Sequence, residues 1–189
     1  MKGWRLILLA VCMVWNMSVA AFSSQQLVTD AKKQIGVTKY YDPAYTRLSY
    51  PMGDVPLIKG VCTDVVVRSL RQQGIDLQQK IHEDMRKHFK VYPNKWGLKA
   101  PDKNIDHRRV PNIATYFQRQ GYQVTDQNYR IGDIVTWDLG QGLVHIGIVS
   151  DKKSFFQKTP LILHNIGRGT EESDILFQYK ITGHYRIKK

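Results

Sequence analysis

The residues of this sequence that can do chemistry converge on one thiol and two histidines. Cys62 lies in the stretch KGVCTDVVVRSLRQQG, residues 59–74, and it is the only cysteine after Cys12. Val65, Val66 and Leu70 recur at helical spacing and Gly74 can stop the helix, so Cys62 falls in a predicted first turn. There the unpaired backbone N–H groups and the positive end of the macrodipole favour thiolate, the nucleophilic form. Asp64, in the same turn, reads as an acid that complements the dipole. A thiolate needs a base, and the chain has six histidines. His82 and His88 sit toward the polar side of a predicted amphipathic helix, and His184 sits in the last predicted strand. His145 in GLVHIGIV and His164 in LILHNIG occupy two successive apolar strands. A cysteine, a basic histidine and a third group that orients the base make up the papain-type set for acyl transfer. His164 or its neighbour Asn165 can orient His145, but adjacent strand residues face opposite ways, so only one of them can serve. Thiolate and imidazole also bind zinc, so Cys62, His145 and His164 are equally compatible with a metal site that has an open fourth position.

The elements that must position these residues follow in a clear order. Ser23 with Gln26 forms a capping-box pattern, and Leu27, Ala31 and Ile35 mark a first helix stopped by Gly36. The Cys62 helix comes second. Leu77, Ile81, Met85 and Phe89 mark a third helix, and Ile113–Gln120 a short fourth one ended by Gly121. After Gly121 the period changes to short branched and aromatic runs: IGDIVTWDL, LVHIGIVS, LILHNIG and ILFQYKITGHYRI. With short connections these predict an antiparallel sheet. The fold class is therefore α+β, with N-terminal helices packed on a C-terminal sheet.

The chain opens MKGWRLILLAVCMVWNMSVA. Lys2 and Arg5, the apolar run Leu6–Met17 and the small-x-small triplet Ser18-Val19-Ala20 predict a signal peptide over residues 1–20. The run is shorter than the about 20 residues a comfortable membrane span needs. Residues 21–189 then form a single domain of ordinary size, bacterial and periplasmic or secreted, with no stable membrane span after cleavage. The lone thiol gains meaning in that setting, because an odd cysteine in an oxidising compartment is reactive, intermolecularly paired or simply buried. The formal charge is +12, and loss of Lys2 and Arg5 with the signal leaves +10. Such a charge favours anionic partners, including cell-wall polymers. The sequence has no paired-cysteine zinc pattern, Gly-rich phosphate loop or nucleic-acid module, so neither a cofactor nor a nucleic-acid partner is expected.

KGVCTDVVVRSL, IGDIVTWDLGQGLVHIGIV and LILHNIGRG together resemble the NlpC-type papain-like hydrolases of bacterial cell walls. Cys62, the Gly132-Asp133 pair, His145 with Gly147, and His164 match that family's order. The segments YYDPAY, GVCTDVV, DKNIDHRRVPN, GDIVTW, HIGIV and HNIG resemble more specifically the YijF-like family of uncharacterised periplasmic proteins, over nearly the whole chain after the signal. One departure is that NlpC-type enzymes usually carry Asp-Cys-Ser-Gly where this chain has Val61-Cys62-Thr63-Asp64, so the resemblance carries the fold over but not the substrate specificity. It implies a papain-like fold and a Cys62–His145–His164 triad that cleaves amide or isopeptide bonds, with peptidoglycan as the substrate class and a thioester intermediate. An acyltransferase outcome stays open. The resemblance also implies that a tyrosine upstream of the cysteine lines the site, and Tyr41 is the candidate. Independently, NIDHRRVPN places His107, Arg108 and Arg109 on a long loop where the arginines could clamp substrate carboxylates. Two other readings are a wall-binding module that has lost activity and the Cys-His-His metal site.

Overall fold

The computed structural model describes residues 21–188; the predicted signal peptide lies outside the described residues. The first helix, α1 (Ser24–Lys32), starts as its pattern predicts, with Ser23 extended and its side chain accepting the Gln26 N–H. It ends earlier than the apolar spacing suggests. Residues 33–37 form turns that lead to Gly36 at φ +77°, and Ile35 is exposed. Two short strands follow, β1 (Tyr40–Tyr41) and β2 (Lys59–Gly60), paired in parallel with Tyr41 opposite Gly60. They bring the two ends of the Tyr- and Pro-rich loop together directly before α2 (Cys62–Arg71). Helix α3 (Leu77–His88) is capped by Asp76, whose side chain accepts the Gln78 N–H. The basic loop contains a 3-10 turn, Asp106–Arg108, which runs into α4 (Val110–Arg119). This helix begins three residues before its predicted start, because Pro111 in the first turn needs no N–H partner there.

The C-terminal strands are β3 (Ile134–Gly140), β4 (Leu143–Lys153), β5 (Pro160–His164), β6 (Glu171–Ser173) and β7 (Lys180–Tyr185). They form one antiparallel sheet in the order β6-β5-β4-β3-β7. The α+β layout, with helices first and an antiparallel sheet second, is therefore the observed architecture. The long last run predicted from the sequence divides: residues 175–179 lie outside the strands, and only Lys180–Tyr185 pairs with β3. The three-residue β6 carries no sequence signal of its own.

Both faces of the sheet are covered. Ile134, Ile146, Ile148, Leu163 and Tyr185 pack with Leu27, Val66, Leu70, Ile113 and Phe117 from the helices. Val135, Trp137, Val149 and Ile162 form a second core with Ile175 and Leu176, and the Trp137 indole donates to the Leu176 carbonyl at 2.9 Å. Strand alternation divides the two sets residue by residue. At the start of β3, Gly132 at φ +80° leaves no room for a Cβ, which would meet Ser24 Cβ at 2.7 Å. Asp133 beside it is buried and accepts from His184 Nε2 and Arg186 Nε, each at 2.7 Å, so the Gly-Asp turn ties β3 to the last strand. Among the described residues, no helix is long and apolar enough to cross a membrane.

Candidate active site

Cys62 is the first residue of α2, after Val61 in extended conformation, and is 4 % exposed. Its sulfur lies against the peptide that joins His145 to Ile146. The N–H groups of Ile146, Thr63 and Cys62 itself all favour its charged form. The ladder between β4 and β5 ends nearby, pairing only from Ile148↔Leu163 onward. The sequence predicts a thiol of depressed pKa, and the structure reverses that direction. Burial outweighs the three N–H groups, the Asp64 carboxylate adds to it, and together they push the thiol up to about 12.

Asp64 does more than complement the dipole. One oxygen accepts the Val61 N–H at 2.7 Å, and both take the Arg108 guanidinium, at 3.1 Å from Nε and 3.0 Å from Nη2. Arg108 also donates to the carbonyls of Asp42 and Ala44, at 3.0 and 3.2 Å. Its fork is thus occupied by the protein itself. The expected carboxylate clamp is corrected at this residue: Arg108 fastens α2, the β1 exit and the 3-10 turn together. His107 is also corrected, since it is buried and held down to about 4 mainly by that burial, with Arg71 and Arg108 nearby adding to it. Arg108 nevertheless lines the cleft at Cys62, as does Arg109, which lies over Trp96 at 4.1 Å and pairs with Asp106 at 3.0 Å. That cleft, of about 280 Å³, is also lined by Tyr41, Trp96, Gly142 and Val144. Tyr41 stands beside the thiol. Burial first, then the Cys62 sulfur and the Asp64 carboxylate, raise its phenol to about 12.

His145 and His164 are brought together. His145 Nε2 is 3.0 Å from His164 Nδ1, and His164 Nε2 is 2.7 Å from the Ser173 hydroxyl. The rings meet edge to face at 5.0 Å, and Trp137 covers His145 at 5.7 Å. His164 is the residue at His145. Asn165 points away, donating to the Gly60 carbonyl at 3.2 Å just upstream of the thiol. If His145 Nε2–H donates to His164 Nδ1, then His164 Nε2–H donates to Ser173, and His145 Nδ1 keeps its lone pair as a base. Both rings are neutral: burial, with the neighbouring His164 for His145, lowers them to about 3 and about 4.

Cys62 and His145 share no hydrogen bond in this structure. Ile146 faces the helices, so alternation hangs His145 from the other face, against Trp137. Sulfur and imidazole therefore flank one peptide group from opposite faces of the sheet. Among the described residues, no group of three or more His, Cys, Asp or Glu side chains is arranged to hold a metal. With one ring nitrogen of each histidine turned toward the other, the geometry gives no support to the metal reading.

Sequence reasoning missed Trp137, Ser173 and the Asp64–Arg108 pair. Trp137 had a signal, since it ends the apolar GDIVTW run and lies opposite His145 in register. Ser173 had none.

Over residues 28–187 the sequence matches the family described as a domain of unknown function (DUF1287). It is 53 % identical over 173 residues to the uncharacterized protein YijF of Escherichia coli (strain K12), covering 89 % of this chain and 83 % of that protein. The match spans both the helices that carry Cys62 and the strands that carry His145 and His164, and on it the chain belongs to the DUF1287 family of YijF-like proteins.

Proposed function

We propose that this protein is an exported, papain-like thiol hydrolase of the NlpC type that cleaves amide or isopeptide bonds in bacterial cell-wall peptidoglycan. The observation that carries the reading is the single thiol at a helix N-terminus, set against the peptide next to a histidine whose far nitrogen is anchored by a second histidine. The resting state is a neutral thiol beside a neutral imidazole, so His145 acts as a general base when substrate arrives and not as the partner in a standing ion pair. With Nε2 held by His164, the proton goes to His145 Nδ1. Proton transfer requires the ring to move from the Trp137 face to the sulfur, a rearrangement that this reading assigns to substrate binding.

In this reading the Cys62 sulfur attacks the amide carbonyl carbon while its proton passes to His145. The Cys62 N–H is one donor to the developing oxyanion, an interaction often worth about 3 kcal/mol. His145 then protonates the leaving amine, and the C–N bond breaks to leave a thioester on Cys62. Water, deprotonated by His145, releases the acid and restores the thiol. Tyr41, Trp96 and Arg109 line the cleft that receives the substrate, and Arg109 is the arginine available to a substrate carboxylate. The test is incubation of residues 21–189 with peptidoglycan fragments and mass spectrometry of the products. The expected result is cleavage with addition of one water, abolished in Cys62→Ser and strongly reduced in His145→Ala. Full activity of Cys62→Ser would overturn the proposal.

A further inference from the structure

The hairpin of β4 and β5 ends in a braced turn. Lys153 pairs with Pro160, the Ser154 N–H donates to the Thr159 carbonyl at 2.8 Å, and the Lys158 N–H donates to the Ser154 carbonyl at 3.1 Å. The turn presents Phe155 and Phe156, which are 79 % and 88 % exposed, the two most exposed large apolar side chains among the described residues. Their rings meet edge to face at 5.1 Å. A single exposed apolar side chain is ordinary, but two adjacent phenyl rings held out on a closed turn form a patch that gains by leaving water. Cations surround it. Lys158 Nζ stands 5.2 Å from the centre of the Phe155 ring, and neither Lys158 nor Lys153 has an ion-pair partner among the described residues. Arg130, also exposed, lines a hollow with Lys153 and Pro160 at the flank of the hairpin. The nearby carboxylates are engaged within the protein. Asp151 and Glu172 face Lys32, Glu172 also meets Lys152 at 3.2 Å, and Asp174 accepts from the Thr159 hydroxyl at 2.8 Å. An apolar tip ringed by unpaired cations is complementary to a surface that is apolar inside and anionic at its boundary.

We propose that this hairpin tip docks on the surface of an anionic phospholipid bilayer. Phe155 and Phe156 enter the boundary between head groups and acyl chains. Lys153, Lys158 and Arg130 donate to lipid phosphates, their apolar stems lying along the acyl layer while the charges stay among the head groups. The inference does not rest on the hydrolase reading. Val144, which lines the Cys62 cleft, stands toward the other end of β4, roughly 30 Å away along the strand, so lipid at the tip does not compete with substrate at the thiol.

Residues 21–189 are sedimented with vesicles of phosphatidylcholine alone and of equal parts phosphatidylcholine and phosphatidylglycerol. Binding to the anionic vesicles is expected, with phosphatidylcholine alone at least about tenfold weaker. Both phenylalanines lie outside the two cores, so Phe155→Ser/Phe156→Ser should fold normally. That double variant should bind the anionic vesicles at least about tenfold more weakly, at low and high salt alike. Lys153→Gln/Lys158→Gln should lose about fivefold per lysine, a loss that fades as salt is raised. In Phe156→Trp the added indole emission should shift to the blue with the anionic vesicles. Iodoacetamide alkylation of Cys62 should be the same in all these proteins. Absence of binding to the anionic vesicles, or equal binding by the phenylalanine double variant, would overturn the proposal. Self-association or binding to peptidoglycan sacculi that is lost in that variant, with no vesicle binding by the unaltered protein, would also overturn it and assign the tip to a second copy or to the wall polymer.

Discussion

Burial governs the ionisable side chains at the thiol. Cys62 has three N–H groups on its side, yet its desolvation wins and the thiol is held up to about 12. Iodoacetamide alkylation of the native protein should therefore stay slow through neutral pH and rise only in the alkaline range. The urea-unfolded chain should react as an ordinary thiol of pKa about 8.5. A native profile centred at or below the unfolded one would mean that the helix terminus outweighs burial. The histidines give the opposite sign. His145 is lowered to about 3, and His164 and His107 to about 4, against an unfolded value of 6.5. Their folded pKa values lie below the unfolded ones, so the stability they contribute is present above about pH 6.5 and is lost as pH falls toward the folded values. The urea midpoint should fall between pH 7 and pH 4.5, roughly the window those shifts define. The fall should be shallower in His145→Gln, and an equal slope in both proteins would remove His145 from the account.

At the scale of elements, two contacts hold the site together. Gly147 lies tight against β5: an added Cβ would stand 2.5 Å from Ile162 Cγ2 and 3.2 Å from His164 Cβ. Gly147→Ala must push β5 outward and carry His164 away from His145. We expect a loss of about 1–3 kcal/mol from overpacking, with turnover of peptidoglycan fragments down about 100-fold through misplacement of the base. Unfolding curves and product assays on the same preparation read both, and unchanged turnover would mean that His164 does not position His145. The Asp64–Arg108 pair joins α2 to the turn before α4, with side-chain exposures of only 4 % and 2 %. Asp64→Asn or Arg108→Met alone leaves a buried charge unpaired and should cost about 3–5 kcal/mol, while the double variant should recover much of it. Additive losses in a double-mutant cycle would show that the two do not act as a pair.

Across the whole molecule, the sheet is buried on both faces, by the helices on one and by residues 175–179 on the other. The site sits on β4 where its paired ladder with β5 ends. The net charge of +12, or +10 without Lys2 and Arg5, gives the protein a diffuse positive field. Attraction of an anionic wall polymer through this field is diffuse and should fade between 0.05 and 0.5 M salt, since the screening length is only about 8 Å at physiological ionic strength. A contact made by Arg109 in the cleft should fade less. The affinity lost in Arg109→Ala should therefore be much the same at both salt concentrations, roughly tenfold for one charge-assisted bond. An Arg109 effect that disappears at high salt would reduce the residue to part of the general field.

What depends on local spacing was legible in the residues alone. Period-four apolar runs marked the helices, period-two runs after Gly121 marked the sheet, and both placed Cys62 in a first turn and His145 and His164 on successive strands. The family was legible too, because its motifs are contiguous residues. Tertiary structure decided everything that depends on who packs against whom. Strand register chose His164 over Asn165 and put Ser173 behind it. Alternation hung His145 from the face away from α2. Burial reversed the direction of the Cys62 pKa. The loop HRR, three adjacent polar residues in the sequence, took three fates: His107 buried and neutral, Arg108 locked to Asp64 at the wall of the cleft, and Arg109 stacked over Trp96 beside it. Spacing tells which way a side chain leaves its own backbone, but the charge, partners and exposure of that side chain are set by residues 40 or 100 positions away, which no local period encodes.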